Sequence, residues 1–96
     1  MSAYLISSPT IHNSELMKEY VIKSAPLLES YGGRYLAKTD QIEVLEGRFG
    51  GKRLVIMQFP DIDHVKRFWN SAEYRELCEL RHAAADADIW MLPGLD

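Results

Sequence analysis

Tyr31-Gly32-Gly33-Arg34-Tyr35 divides the chain into two periodicities, helical before it and strand-like after it. Upstream, Leu16, Met17, Tyr20, Val21, Ala25, Leu28 and Tyr31 recur at the three- and four-residue intervals of an amphipathic helix. Downstream, Tyr35, Leu36 and Ala37 read as strand. A glycine just past the last periodic residue supplies the left-handed conformation that closes a helix at little steric cost. The second glycine lets the next strand start hard against the helix end. The junction sets the order of the elements around it.

Ala3 to Ser8 reads as a short apolar strand closed by Pro9. Asn13 caps a helix that opens on Ser14-Glu15, with the acid at the positive end of the helix dipole. Pro26 is expected to kink the last turns of that helix by removing a hydrogen-bond donor. A strand follows from Gly33 to Lys38, then a polar turn at Thr39-Asp40-Gln41. Ile42 to Gly47 is predicted as a further strand, with Ile42, Val44 and Glu46 on one face. Gly50-Gly51 turns the chain into the run Arg53 to Phe59, the strongest strand pattern present.

Pro60-Asp61 ends that strand and caps a helix carrying Val65, Phe68 and Trp69 on one side. Asn70-Ser71 breaks it, and Ser71 caps the next helix. This last helix carries Tyr74, Leu77, Cys78, Arg81 and Ala84 or Ala85 at helical spacing. Asp86 and Asp88 read as a solvated turn near a closing strand from Asp88 to Leu92, which Pro93-Gly94 ends. Strand, helix, strands, helix pair, strand is the order of a split βαβ, or ferredoxin-like, α+β arrangement.

The strand Leu54 to Phe59 is apolar on both faces, with Val55, Met57 and Phe59 on one and Leu54 and Ile56 on the other. An antiparallel sheet with helices on one face keeps its other face polar unless that face is covered too. No element is left over to cover it. The pattern therefore predicts two sheets packed face to face in a symmetric homodimer.

Length allows one domain, residues 1–96. A net charge of −3 with dispersed Lys and Arg leaves no basic stripe, which argues against nucleic acid and anionic membranes as partners. Cys78 is the sole cysteine, so no intrachain disulfide forms and a reducing cytoplasm is the expected setting. The N-terminus has no signal-peptide pattern, and no run approaches the ~20 apolar residues of a membrane span.

Tyr31-Gly32-Gly33-Arg34-Tyr35, Glu46-Gly47, Phe59-Pro60, Trp69-Asn70-Ser71-Ala72-Glu73-Tyr74 and Arg81 together resemble the domain-of-unknown-function 1330 family. That family lies within the dimeric α/β-barrel superfamily, and the resemblance spans nearly the whole chain. Ala72 stands where similar sequences often carry proline after the capping serine, which weakens pre-organisation of the helix start. The resemblance implies a ferredoxin-like βαββαβ fold with an antiparallel sheet, dimerised as an α/β barrel. Relatives in the wider superfamily include cofactor-independent oxygenases and lactone isomerases. Fold-level analogy of this kind does not assign a reaction.

Arg81 shares a helical face with Tyr74, Leu77 and Cys78, so it points inward. An inward Arg needs an ion-pair partner or an anionic ligand, because an isolated buried charge is too costly. Internal pairing and a clamp for a carboxylate both satisfy it. Glu46 is the natural partner; desolvation would make it a general base, whereas pairing with Arg81 or Arg34 would make it structural. Tyr20, Trp69 and Tyr74 fall at inward positions of three helical segments, as core or as pocket walls with polar handles. Ser71 reads first as a helix cap, and Cys78 as a buried thiol. His12, His64 and His82 form no metal signature.

These residues predict a pocket between helices and sheet lined by Tyr20, Trp69, Tyr74, Glu46 and Arg81, with Arg34 and Ser71 as further ligand contacts. Glu46 and Arg81 are the catalytic candidates. The expected function is a metal- and cofactor-free site for a small anionic or oxygen-rich metabolite, oxygenated or isomerised by acid–base chemistry. The alternative is a non-catalytic ligand-binding protein or a purely structural homodimer, whose side chains would fill that space.

Overall fold

In the computed structural model, which describes residues 1–96, the chain runs β1 (Ala3–Ile11), α1 (Ser14–Ser30), β2 (Arg34–Thr39), β3 (Leu54–Phe59), α2 (Ile62–Asn70), α3 (Ala72–Ala84) and β4 (Ala85–Pro93). The strands form one sheet in the order β2-β3-β1-β4, and every pairing is antiparallel. This is the ferredoxin-like α+β arrangement with an antiparallel sheet.

The junction after α1 behaves as its two glycines predict. Gly32 adopts φ +84°, and its N–H and that of Gly33 donate to the carbonyls of Glu29 and Leu28, both at 2.9 Å. A Cβ on Gly33 would lie 2.8 Å from both Leu28 Cγ and Phe59 Cζ, so the strand does start against the helix end. At the other end of α1, Asn13 Oδ1 accepts from Leu16 N at 3.1 Å. The helix continues through Pro26 to Ser30.

Val55, Met57 and Phe59 face the helices and join Ala3, Leu5, Leu28, Val65 and Phe68 in the core. Register puts Tyr4 and Ile6 of β1 beside Gln58 and Ile56 on the opposite face, next to Leu92 and Trp90 of β4. Trp90 is 50% exposed there.

Four expectations are corrected. Ile42 to Gly47 is not a strand: residues 40–53 link β2 to β3 without pairing, and Leu45 is 90% exposed. Its residues hydrogen-bond to neither free edge of the sheet, and Gly47 at φ +80° closes the run. With that strand gone, Gly50-Gly51 is part of a long connection rather than a tight hairpin turn. The first strand passes through Pro9 to Ile11, because beyond Ser7 β1 pairs only with β4, and an edge tolerates the missing N–H. For the same reason Asp86 and Asp88 lie within β4, opposite Thr10 and Ser8, and not in a turn.

Candidate functional site

The buried stripe of α1 lies over the sheet and leaves a pocket beneath it. Met17, Tyr20, Val21, Ser24 and Leu28 form its roof, and Leu5, Ser7, Val55, Met57 and Ile89 its floor. Tyr74 and Arg81 of α3 and Trp69 of α2 close one side. The pocket holds ≈ 100 Å³ and is mostly apolar. No carboxylate lines it.

Arg81 is the buried charged group at this site, only 7% exposed. It takes part in no salt bridge. Its terminal Nη2 lies 3.8 Å from Cys78 Sγ, and its guanidinium sits 5.9 Å from the Trp69 ring. Nε is buried without a hydrogen-bond partner, and so is Ser24 Oγ. Burial alone would lower the Arg81 pKa, but the phenols of Tyr74 and Tyr20 and the Cys78 thiol outweigh it, so the net shift is upward. The guanidinium is therefore a permanent positive charge in an apolar wall.

Tyr20 and Tyr74 meet hydroxyl to hydroxyl at 2.9 Å. Burial pushes both phenols up, Tyr20 far above the ordinary range. Both thus stay protonated at neutral pH. One O–H is spent on the mutual bond, which leaves the other free to donate to a ligand oxygen. Behind them, Tyr74 packs against Phe68 at 4.5 Å and Trp69 at 5.3 Å between ring centroids, which fixes its orientation.

The structure brings together Tyr20, Trp69, Tyr74 and Arg81, as the sequence predicts, and leaves three expected residues elsewhere. Glu46 is exposed in the β2–β3 connection and does not pair with Arg81. Its predicted inward position depended on the strand that does not form. Arg34 binds Gln58 Oε1 through Nε at 3.0 Å and Nη2 at 2.6 Å, level with Tyr4 on the helix-free face. Ser71 is consumed as a cap: Oγ donates to Phe68 O at 2.8 Å and accepts from Tyr74 N at 3.1 Å. The cap still serves the site, since it holds the first turn of α3 where Tyr74 sits. Among the histidines, His64 Nδ1 lies 2.7 Å from Asp61 Oδ1, His12 Nε2 lies 3.8 Å from Asp86, and His82 is exposed.

Sequence reasoning missed Ser24, Tyr35, Lys38 and Arg53, all of which line the pocket. Ser24 had a signal: it is a polar residue four positions after Tyr20 and four before Leu28, in the middle of the apolar stripe. Arg53 sits two residues before Val55 and so shares its face. Burial raises the Tyr35 phenol, with the Ser24 hydroxyl pulling the other way although it falls outside hydrogen-bond geometry.

Fold and site together define a ferredoxin-like protein with an arginine- and tyrosine-lined cavity under its first helix. The chain belongs to the family described as a domain of unknown function, DUF1330, whose profile it matches over residues 2–95. No curated protein sequence matches it. Among solved structures it is similar to RPA0582, a protein of unknown function from Rhodopseudomonas palustris, at 18% identity and TM-score 0.80, covering 99% of this chain and 83% of that one. It is also similar to SnoaB, a cofactor-independent oxygenase from Streptomyces nogalater, at 12% identity and TM-score 0.69, covering 99% and 94%. A dimeric ferredoxin-like protein of unknown function from Thermobifida fusca matches at 10% identity and TM-score 0.65, covering 98% and 92%. At these identities the likeness is one of fold. No helix of the chain is long and apolar enough to cross a membrane.

Proposed function

We propose that the protein is a small-molecule enzyme that binds an anionic or oxygen-rich metabolite beneath α1 and promotes its oxygenation or isomerisation without a metal or bound cofactor. The observation that carries this reading is Arg81, buried without a carboxylate and with Nε unpartnered, beside two neutral phenols. A buried cation with spare donors is costly unless an anion completes it. A cavity of ~150 Å³ accepts benzene, so ≈ 100 Å³ suits a short chain or part of a single ring.

With Glu46 outside the pocket, no carboxylate is placed there to act as base. The chemistry the residues support is electrostatic: Arg81 and a phenol O–H stabilise the enolate or phenolate form of the ligand in a site of low dielectric. The ligand's proton passes to solvent water. The resulting anion is common to isomerisation, in which a proton returns at another carbon, and to oxygenation, in which dioxygen is the oxidant. The similarity to a cofactor-independent oxygenase is in keeping with this, at the level of fold.

We also infer a homodimer through the helix-free sheet face. Trp90, Leu92, Ile6, Leu54 and Ile56 share that face, and two of the similar structures are described as dimeric ferredoxin-like proteins.

Binding of p-nitrophenol and of small carboxylates tests the site. p-Nitrophenol should bind as its phenolate, with its visible absorbance showing a pKa lowered by about one unit or more. Arg81→Met should remove that shift and the carboxylate-induced rise in melting temperature. The variant itself should be at least as stable as the wild type, because no buried partner is stranded. If no phenol, carboxylate or phosphate binds the wild type, the proposal falls and the structural dimer is the better reading.

A further inference from the structure

Sheet register places the pocket's second charged group at its far end from Arg81. Lys38 pairs with Val55, Val55 with Ser7, and Ser7 with Ile89, so these four form one row across all four strands. All four line the pocket. Lys38 is on the β2 edge, and Arg81 closes the pocket beside Ile89 and Ala87 of β4. Three strand spacings separate Lys38 from Ile89, ~14 Å between backbones.

The β2 end is a basic mouth. Lys38 and Arg53 line both the pocket and an outer groove continuous with it, where Lys18 joins them and no carboxylate is present. Lys38 Nζ lies 4.6 Å from the centre of the Tyr35 ring, so an aromatic wall of the pocket orients it. Three cations gather here in a chain whose net charge is −3. Partial burial, and then the neighbouring Arg53, lower the Lys38 pKa.

We propose that this mouth recognises a second anionic group on the same ligand, so that the pocket takes an elongated molecule with an apolar body and an acid at each end. One acid or enol oxygen meets Arg81 and the tyrosine pair, and the other, a carboxylate or equivalent, meets Lys38 and Arg53. The inference rests on the reading of Arg81 as an anion site and adds the ligand's length and second charge.

Calorimetry with matched probes separates the two claims. Suberate and 4-carboxycinnamate carry the second carboxylate that octanoate and cinnamate lack. The diacids should bind about three- to tenfold more tightly than the monoacids at low salt, with the advantage shrinking as salt rises. Replacing Lys38→Met and Arg53→Gln together should erase the advantage, so that diacids bind the double variant no more tightly than monoacids do. Both positions are solvent-accessible, so circular dichroism should show an unchanged fold. Equal affinity for mono- and diacids, or an advantage that survives in the double variant, overturns the second-anion inference alone. Absence of binding by every probe overturns it together with the Arg81 site.

Discussion

Burial keeps the three phenols of the pocket protonated. Tyr20, Tyr35 and Tyr74 all have pKa values pushed upward chiefly by desolvation, so each holds its proton more tightly in the folded chain than in the unfolded one. Below the ordinary phenol value of about 10 both states are protonated and the full stability is present. Above it only the unfolded chain ionises, and stability falls as pH rises. The tyrosinate absorbance of these three residues should therefore appear together with loss of helical circular dichroism. Tyr20→Phe should make the alkaline loss of stability shallower. A tyrosinate signal that is complete while the fold persists would count against the buried pair. Arg81 departs from this: burial alone would lower its pKa, but the neighbouring Tyr74, Cys78 and Tyr20 outweigh it, so it keeps a positive charge that no carboxylate of the fold neutralises.

At the scale of elements, the α1–β2 junction does most to position the site. Ser24, Leu28 and Tyr35 line one pocket only because β2 starts immediately after α1 closes. Gly33 makes that approach possible, since a Cβ there meets Leu28 and Phe59, which are both 1% exposed and have no room to yield. Gly33→Ala should cost about 1–3 kcal/mol through overpacking. Gly32→Ala should cost about 1 kcal/mol through its left-handed φ, with Pro60 carbons at 3.1 Å adding some crowding. Urea unfolding midpoints measure both. A Gly33→Ala variant as stable as the wild type would show that the junction has slack. The α2–α3 break works similarly: Ser71 ends one helix and starts the next, and so brings Trp69 and Tyr74 face to face.

As a whole, the molecule is a slab. Its Cα extents are 36 × 34 × 16 Å, and its radius of gyration of 13.5 Å exceeds the ~12.5 Å expected of a compact chain this long. One layer of helices on one sheet gives that shape, and it leaves a broad sheet face with Trp90, Leu92 and Ile56 outside the core. Burying that face against a second copy would restore compactness and use about 800 Å² per partner, a standard interface. Sedimentation at micromolar concentration should report a dimer, and Ile56→Glu on the helix-free face should shift it to monomer. A wild type that stays monomeric would remove the sheet-to-sheet assembly while leaving the pocket, which lies on the other face, unaffected.

Element order and facing were legible in the sequence because they follow from local rules. Helical spacing placed Tyr20, Tyr74 and Arg81 inward, alternation placed Val55, Met57 and Phe59 inward, and Gly32-Gly33 marked the junction. The failures came where a local pattern needed a distant partner. Ile42, Val44 and Glu46 alternate like a strand, but alternation makes a strand only when the segment bonds to an edge, and this segment pairs with neither free edge of the sheet. Glu46 therefore lies outside the pocket, and the expected ion pair with Arg81 does not form. Pro9 erred in the other direction: β4 pairs with β1 past the point where β3 stops, so a residue that ends strands locally sits inside one. The sequence by itself determined which residues face the core, since side-chain direction depends on near neighbours along the chain. Only the tertiary structure decided which of them meet, because the row Lys38–Val55–Ser7–Ile89 is assembled by hydrogen bonds between strands that no single strand encodes.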